Sequence, residues 1–264
     1  MANTVLERTL NNVNQEDLKA GYAAPQGAVD QFGNSIPSGS FAGTDETMSV
    51  TGSARAALGL FAIVVAVGTW AWISIPDKNL RVVVIAAALL GFAIVLLTRS
   101  KPKIARITAP LYAVMQGLVL GLISRIYENA YSGIVVQAVL ATGAIVFVMY
   151  TLYSTGILKV TPRFRKIVIS ATMGIAVFYG LSFLLSFFDV GIPLVFDSGP
   201  VGIIFSLFFI SIAASTLALD FDFIERGSQA GLPKYMDWAA GFGLIVSIVW
   251  IYLEVLRLLG NIRN

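Results

Sequence analysis

The sequence of 264 residues contains no cysteine and no histidine. This excludes disulfide bonds, zinc sites built from cysteine and histidine, haem ligation by histidine, and catalytic triads that use histidine as the base. Charged residues are also scarce, at 12% of the chain against about 25% in an ordinary soluble domain. Because 57% of the residues are hydrophobic, most of the chain must be surrounded by lipid.

The apolar residues come in blocks of about 17 to 22, the length that an α-helix needs to cross a hydrocarbon core about 30 Å thick. Short segments of alternating polarity, which are typical of transmembrane strands, do not occur. The sequence therefore predicts an all-α, polytopic membrane protein with a bundle of seven transmembrane helices. The predicted spans are Ala56–Ile75, Val82–Thr98, Ile107–Ile123, Ile134–Leu152, Ile167–Phe188, Val201–Leu219 and Trp238–Leu259.

Residues 1–53 are polar and rich in Gly, Ser, Asn and Gln, as in the stretch from Gly33 to Ser40. A segment with so few apolar side chains cannot offset the entropy lost on ordering. We therefore predict a disordered tail over residues 1–53 and a transmembrane domain over residues 54–264.

Basic residues cluster in the joins after the second and fourth spans. Because Lys and Arg favour the cytoplasmic side, we expect both joins and the N-terminus in the cytoplasm of a multi-pass protein of the cell membrane. Arg257 and Arg263 oppose the outer position that seven spans give to the C-terminus, so its side stays open. The net charge of +3 reflects these joins, and we expect no binding to nucleic acid.

The third span carries small and polar residues. Gly117 and Gly121 stand four residues apart, a spacing that lets two helices approach closely, and we interpret them as packing residues. The amide of Gln116 cannot be satisfied by lipid, so it either bonds another helix or lines a polar pathway.

Acidic residues gather around the sixth and seventh spans. Asp220 and Asp222 follow the sixth span, Asp237 begins the next apolar stretch, and Glu254 lies inside the seventh span. An ionised acid inside a membrane costs about 2.5 to 3.5 kcal/mol unless it is paired or hydrated, and Arg257 lies one turn beyond Glu254. Asp220 either has a functional role or only marks the end of a helix, and the sequence favours the two interpretations equally.

Two acids within hydrogen-bonding distance inside the bundle would share one proton. Such a pair would respond to pH, and its ionised form suits a hard cation such as Ca²⁺. We therefore consider Asp220 a candidate Ca²⁺ ligand, with Ca²⁺ as a transported ion rather than a cofactor.

In three places the sequence resembles the Bax inhibitor-1-like (transmembrane Bax inhibitor motif) family, in its bacterial branch. These are "LDFDFIERG", "WIYLEVLRLLG" and "APLYAVMQGLVLGLIS". The resemblance implies six helices around a central C-terminal helix in a bacterial inner membrane. It also implies a calcium leak governed by the protonation of two acids from the sixth and seventh helices.

The resemblance assigns roles to individual residues. Asp220 matches the family's acid in the sixth helix, and Asp222 stands where the family usually has Gln. Glu254 looks like the second acid, although Asp237 is closer to Asp220 across the turn, so the partner stays open. Arg99 matches a basic residue that can act as a latch on the acids. The place of Gln116 is one where many members carry Glu.

These features favour a pH-sensitive cation leak, with Ca²⁺ or protons as partners. The alternative is a membrane scaffold that regulates a membrane protease or a translocation partner without transport. We expect no enzyme, because neither Asp220 nor Asp222 stands in the Gly-x-Gly-Asp setting of intramembrane aspartyl proteases. The seventh span also lacks a lysine for a retinal Schiff base. The oligomeric state stays open.

Overall fold

A computed structural model describes residues 47–186 and 199–263 of the chain. This part contains seven helices that are long and apolar enough to cross a membrane, and it contains no β-strand, which confirms the predicted all-α bundle. The chain is therefore a multi-pass protein of a lipid bilayer. The helices are α1 Val50–Ser74, α2 Asp77–Ser100, α3 Ala105–Ala130, α4 Ile134–Ser154, α5 Pro162–Ser186, α6 Pro200–Gln229 and α7 Met236–Arg263.

Proline and glycine mark the joins between helices. Pro162 and Pro200 open α5 and α6, where a missing N–H leaves no helical hydrogen bond unmade. A 3₁₀ turn over Pro102–Ile104 connects α2 to α3. The turn between α6 and α7 contains Gly231 at a φ of 64°, in the left-handed region that glycine adopts without strain.

Two helix boundaries differ from the sequence prediction. Helix α6 continues to Gln229, ten residues beyond the predicted end at Leu219. Helix α1 begins at Val50, within the predicted tail, and the Ser49 hydroxyl accepts a 2.9 Å hydrogen bond from the Gly52 N–H as its N-cap. The rest of that tail, residues 1–46, and the predicted end of the fifth span at Phe188 lie outside the described residues.

Helix α7 lies at the centre of the bundle. It packs against α1, α3, α4 and α6. Of its most apolar stretch 67% is buried, whereas 11% of the corresponding stretch of α5 is buried. The central C-terminal helix that the resemblance implies is thus present, and α5, which packs on α6, is peripheral.

Glycines allow α1 and α3 to cross at close range. A Cβ added to Gly121 would lie 2.8 Å from the carbonyl carbon of Gly68, and a Cβ added to Gly117 would lie 2.8 Å from Cβ of Val67. Since real Cβ atoms do not come so close to other atoms, only glycine fits at this crossing. The structure thus confirms the packing role predicted for Gly117 and Gly121.

Candidate functional site

Asp220 lies inside a continuous helix, because α6 runs nine residues beyond it to Gln229. The helix-end reading of Asp220 is therefore wrong. Its Oδ2 accepts a hydrogen bond of 2.5 Å from the Ser247 hydroxyl of α7. The Thr216 hydroxyl lies 3.0 Å from the Ser247 oxygen, so three polar side chains form a row between α6 and α7.

Ser247 is buried in this row, whereas Thr216 and Asp220 are half-buried between the two helices. Ser247 follows the first residue of α7 by eleven positions, and a rise of 1.5 Å per residue places it about 17 Å along the helix, near its middle. Opposite Asp220, α7 presents Gly243, where an added Cβ would lie 3.1 Å from Oδ1 of the carboxylate. The absence of a side chain at this position leaves room for Asp220 between the helices.

Asp220 differs from the other three candidate acids in its electrostatic surroundings. Each of those three has a basic partner, whereas Asp220 forms no ion pair with any residue in the described part of the chain. The pairs are Asp222 with Arg165 and Arg226, Asp237 with Lys234, and Glu254 with Arg257.

Glu254 is enclosed by partners from two helices. Its Oε1 accepts hydrogen bonds from the Tyr179 hydroxyl of α5 at 2.7 Å and from Nε1 of Trp250 at 3.2 Å. Its Oε2 lies 2.6 Å from Nη2 of Arg257. The structure confirms the Glu254–Arg257 pair that their spacing indicated, and the carboxylate is buried.

Asp222 connects α5 to α6. Its carboxylate contacts the guanidinium of Arg165 near the start of α5, and its Oδ1 accepts a 2.8 Å hydrogen bond from Nε of Arg226 one turn further along α6. Glu225, which directly precedes Arg226, accepts a hydrogen bond from the Tyr153 hydroxyl of α4. This region therefore joins α4, α5 and α6 through charged and polar groups.

Asp237 connects the start of α1 to the start of α7. Its Oδ1 accepts hydrogen bonds of 3.0 Å from the backbone N–H of Ser49 and from the Ser53 hydroxyl. The backbone N–H of Met48 donates to the carbonyl of Leu232 in the preceding turn, at 2.6 Å. The carboxylate of Asp237 thus faces α1 and fixes the first residues of that helix against the start of α7.

Among the described residues no hydrogen bond joins Asp220 to another acid, so the shared proton of an acid pair stays a prediction, and only the faces of α7 bear on the choice of partner. Glu254 follows Ser247 by seven residues, about two helical turns, so both lie on the same side of the helix. Asp237 faces α1 instead. Glu254 is therefore the acid that shares a face with the Asp220 contact, about 10 Å further along α7.

The described residues contain no group of three or more acidic side chains that could hold a metal ion. Ca²⁺ coordination by Asp220 stays a prediction, since one carboxylate supplies a small part of the six to eight oxygen ligands that Ca²⁺ takes.

The two remaining predicted site residues lie near α2. Arg99 is exposed at the end of α2, and Arg165 and Arg226, rather than Arg99, pair with Asp222. The amide nitrogen of Gln116 would lie 2.9 Å from a Cβ added to Gly91 of α2. Gln116 thus faces the α2–α3 contact and not the row around Asp220.

Sequence reasoning missed the residues that complete this site. We use the term polar seam for the polar side chains along the contact of α6 and α7, together with Tyr179, which reaches it from α5. The polar seam comprises Tyr179, Ser206, Thr216, Asp220, Ser247, Glu254 and Arg257. The spacing of Ser247, Trp250, Glu254 and Arg257 by three and four residues places them on one helix face, and this signal was available in the sequence.

Comparison with known proteins gives one family match. The model of the family described as Bax inhibitor 1 like matches residues 3–264. No curated protein gives a significant match to the chain.

Proposed function

Because this chain belongs to the Bax inhibitor-1-like family, whose model spans nearly its whole length, we propose that it provides a pH-sensitive pathway for Ca²⁺ across the membrane. The pathway follows the polar seam, ionisation of Asp220 controls it, and Glu254 is the second acid along it. The observation that carries this proposal is the environment of Asp220, a half-buried acid between α6 and α7 without a basic partner among the described residues.

An ionised carboxylate without a partner is expensive inside a membrane, by about 2.5 to 3.5 kcal/mol on insertion scales. Asp220 can remove this cost in two ways, by taking up a proton or by binding a cation. The cation competes with the proton for the same oxygens, so acid should close the pathway and alkali should favour it. The Ser247 and Thr216 hydroxyls add oxygen ligands of the kind that Ca²⁺ prefers.

Calcium flux into proteoliposomes that contain a calcium-sensitive dye tests the proposal across a series of pH values. We expect flux through the wild type to rise with pH and flux through Asp220→Asn to be low and nearly independent of pH. The matched control is Asp77→Asn, which removes an acid whose side chain is 89% exposed at the start of α2. Equal flux through the wild type and Asp220→Asn at every pH would refute the mechanism.

The proposal includes an orientation, with the N-terminus in the cytoplasm of the cell membrane. The chain has no cysteine, so single cysteines can be introduced and labelled from one side. Ser100 at the end of α2 and Ser132 between α3 and α4 are both exposed. In intact cells an impermeant thiol reagent should label Ser132→Cys and spare Ser100→Cys. The opposite pattern would reverse the orientation.

A further inference from the structure

The guanidinium of Arg257 occupies one end of the polar seam. Besides its ion pair with Glu254, Nε of Arg257 donates to the Ser206 hydroxyl of α6 at 3.3 Å, and Nη1 contacts the Tyr179 hydroxyl of α5. Its central carbon lies 5.0 Å from the centre of the Phe209 ring and 5.8 Å from that of Tyr179. One side chain of α7 thus connects three helices.

These contacts surround a positive charge that the protein itself supplies. The side chain of Arg257 is 14% exposed and that of Glu254 is 5% exposed, so the pair is largely shielded from its surroundings. A guanidinium does not lose its proton in proteins, so the charge stays at every physiological pH. The aromatic faces of Phe209 and Tyr179 further favour a cation at this position.

We infer that Arg257 is a built-in counter-ion that occupies the place at Glu254 that a permeating cation would otherwise take. This inference rests on the proposed function and adds a means of regulating it. While Arg257 is paired, Glu254 is neutralised and the seam is blocked between α5, α6 and α7. A divalent cation passes this end of the seam only after the guanidinium has left the carboxylate.

Three variants of the pair separate this role from a purely structural one. Arg257→Gln leaves Glu254 as an uncompensated acid, and Ca²⁺ flux should rise several-fold. Arg257→Lys keeps a positive charge and should retain low flux. The double variant Glu254→Gln with Arg257→Gln removes both charges and should also show low flux. Arg81→Gln, at an exposed position of α2, is the matched control and should behave as the wild type.

A binding measurement makes the test independent of transport. Nε1 of Trp250 lies 3.2 Å from Oε1 of Glu254, close enough for the indole to sensitise the luminescence of a terbium ion bound there. We expect Trp-sensitised terbium luminescence in Arg257→Gln, little in the wild type, and loss of the signal when Trp250→Phe is added. Trp250→Phe separates this signal from that of the other three tryptophans of the chain.

The outcomes are distinguishable. If Arg257→Gln binds terbium through Trp250 but no variant carries Ca²⁺, the counter-ion role stands and the proposed transport is wrong. If folded Arg257→Gln matches the wild type in terbium luminescence and in flux, the counter-ion role is overturned.

Because losing one partner of a buried pair can unfold a protein, the size-exclusion profiles of the variants are compared first. Should Arg257→Gln not fold, the inference is overturned when Arg257→Lys or the folded double variant shows raised flux.

Discussion

The hydroxyl of Ser247 donates a hydrogen bond of 2.5 Å to the carboxylate of Asp220, across the contact between α6 and the central helix α7. This contact gives an isolated acid one fixed donor and an orientation towards α7. Replacing Ser247 therefore alters the stability of the ionised carboxylate while Asp220 itself is kept.

We expect Ser247→Ala to lower Ca²⁺ flux several-fold at neutral pH, because the ionised form of Asp220 loses the donor that stabilises it. Proteoliposome flux measures this effect. Ser211→Ala is the matched control, since the Ser211 hydroxyl is exposed and donates to the carbonyl of Leu207 in its own helix. Unchanged flux in Ser247→Ala would show that this hydrogen bond does not contribute to the pathway.

We expect Gly121→Ala to destabilise the protein by about 1–3 kcal/mol, because the added methyl group meets the backbone of Gly68 and neither helix can yield without moving. Unfolding of the purified protein in detergent measures this loss. Gly143→Ala is the control, since a Cβ added at Gly143 meets nothing within 4 Å. Equal stability of the two variants would contradict the close crossing of α1 and α3.

The number and approximate position of the helices were predictable from sequence, since the thickness of the bilayer fixes the length of each apolar block. The end of α6 was not. From Asp220 onwards acidic residues alternate with apolar ones, and the charges of Asp220, Asp222 and Glu225 make the sequence look like the end of a span. These residues remain helical because neighbouring helices supply partners, as Arg165 does for Asp222 and Tyr153 does for Glu225.

The candidate acids were also predictable, but their partners were not. A buried acid draws attention in any apolar span, and the Glu254–Arg257 pair follows from spacing along one helix. Whether Arg99 or Arg165 reaches Asp222 depends on which helix lies beside α6. Helix α5 packs on α6, whereas α2 packs on α3. Such contacts between helices belong to the tertiary structure and do not follow from spacing along one helix.

The two arginines that contact Asp222 should differ in their contribution to stability. The side chain of Arg165 is 15% exposed and that of Arg226 is 53% exposed. We expect Arg165→Gln to cost about 3–5 kcal/mol, since it breaks a buried pair. Arg226→Gln should cost about 0–1 kcal/mol, as exposed pairs do. Unfolding in detergent compares the two, and a larger loss for Arg226→Gln would contradict the described geometry.

The contacts of Asp237 predict a structural role that differs from that of Asp220. Asp237→Ala removes the acceptor of Ser49 and Ser53, so we expect a loss of about 1–3 kcal/mol of stability. The pH dependence of Ca²⁺ flux should persist in the protein that remains folded, because Asp237 faces α1 and lies off the polar seam. If Asp237→Ala instead abolished the pH dependence while its unfolding curve matched the wild type, Asp237 would belong to the gate, and the assignment of the second acid to Glu254 would be wrong.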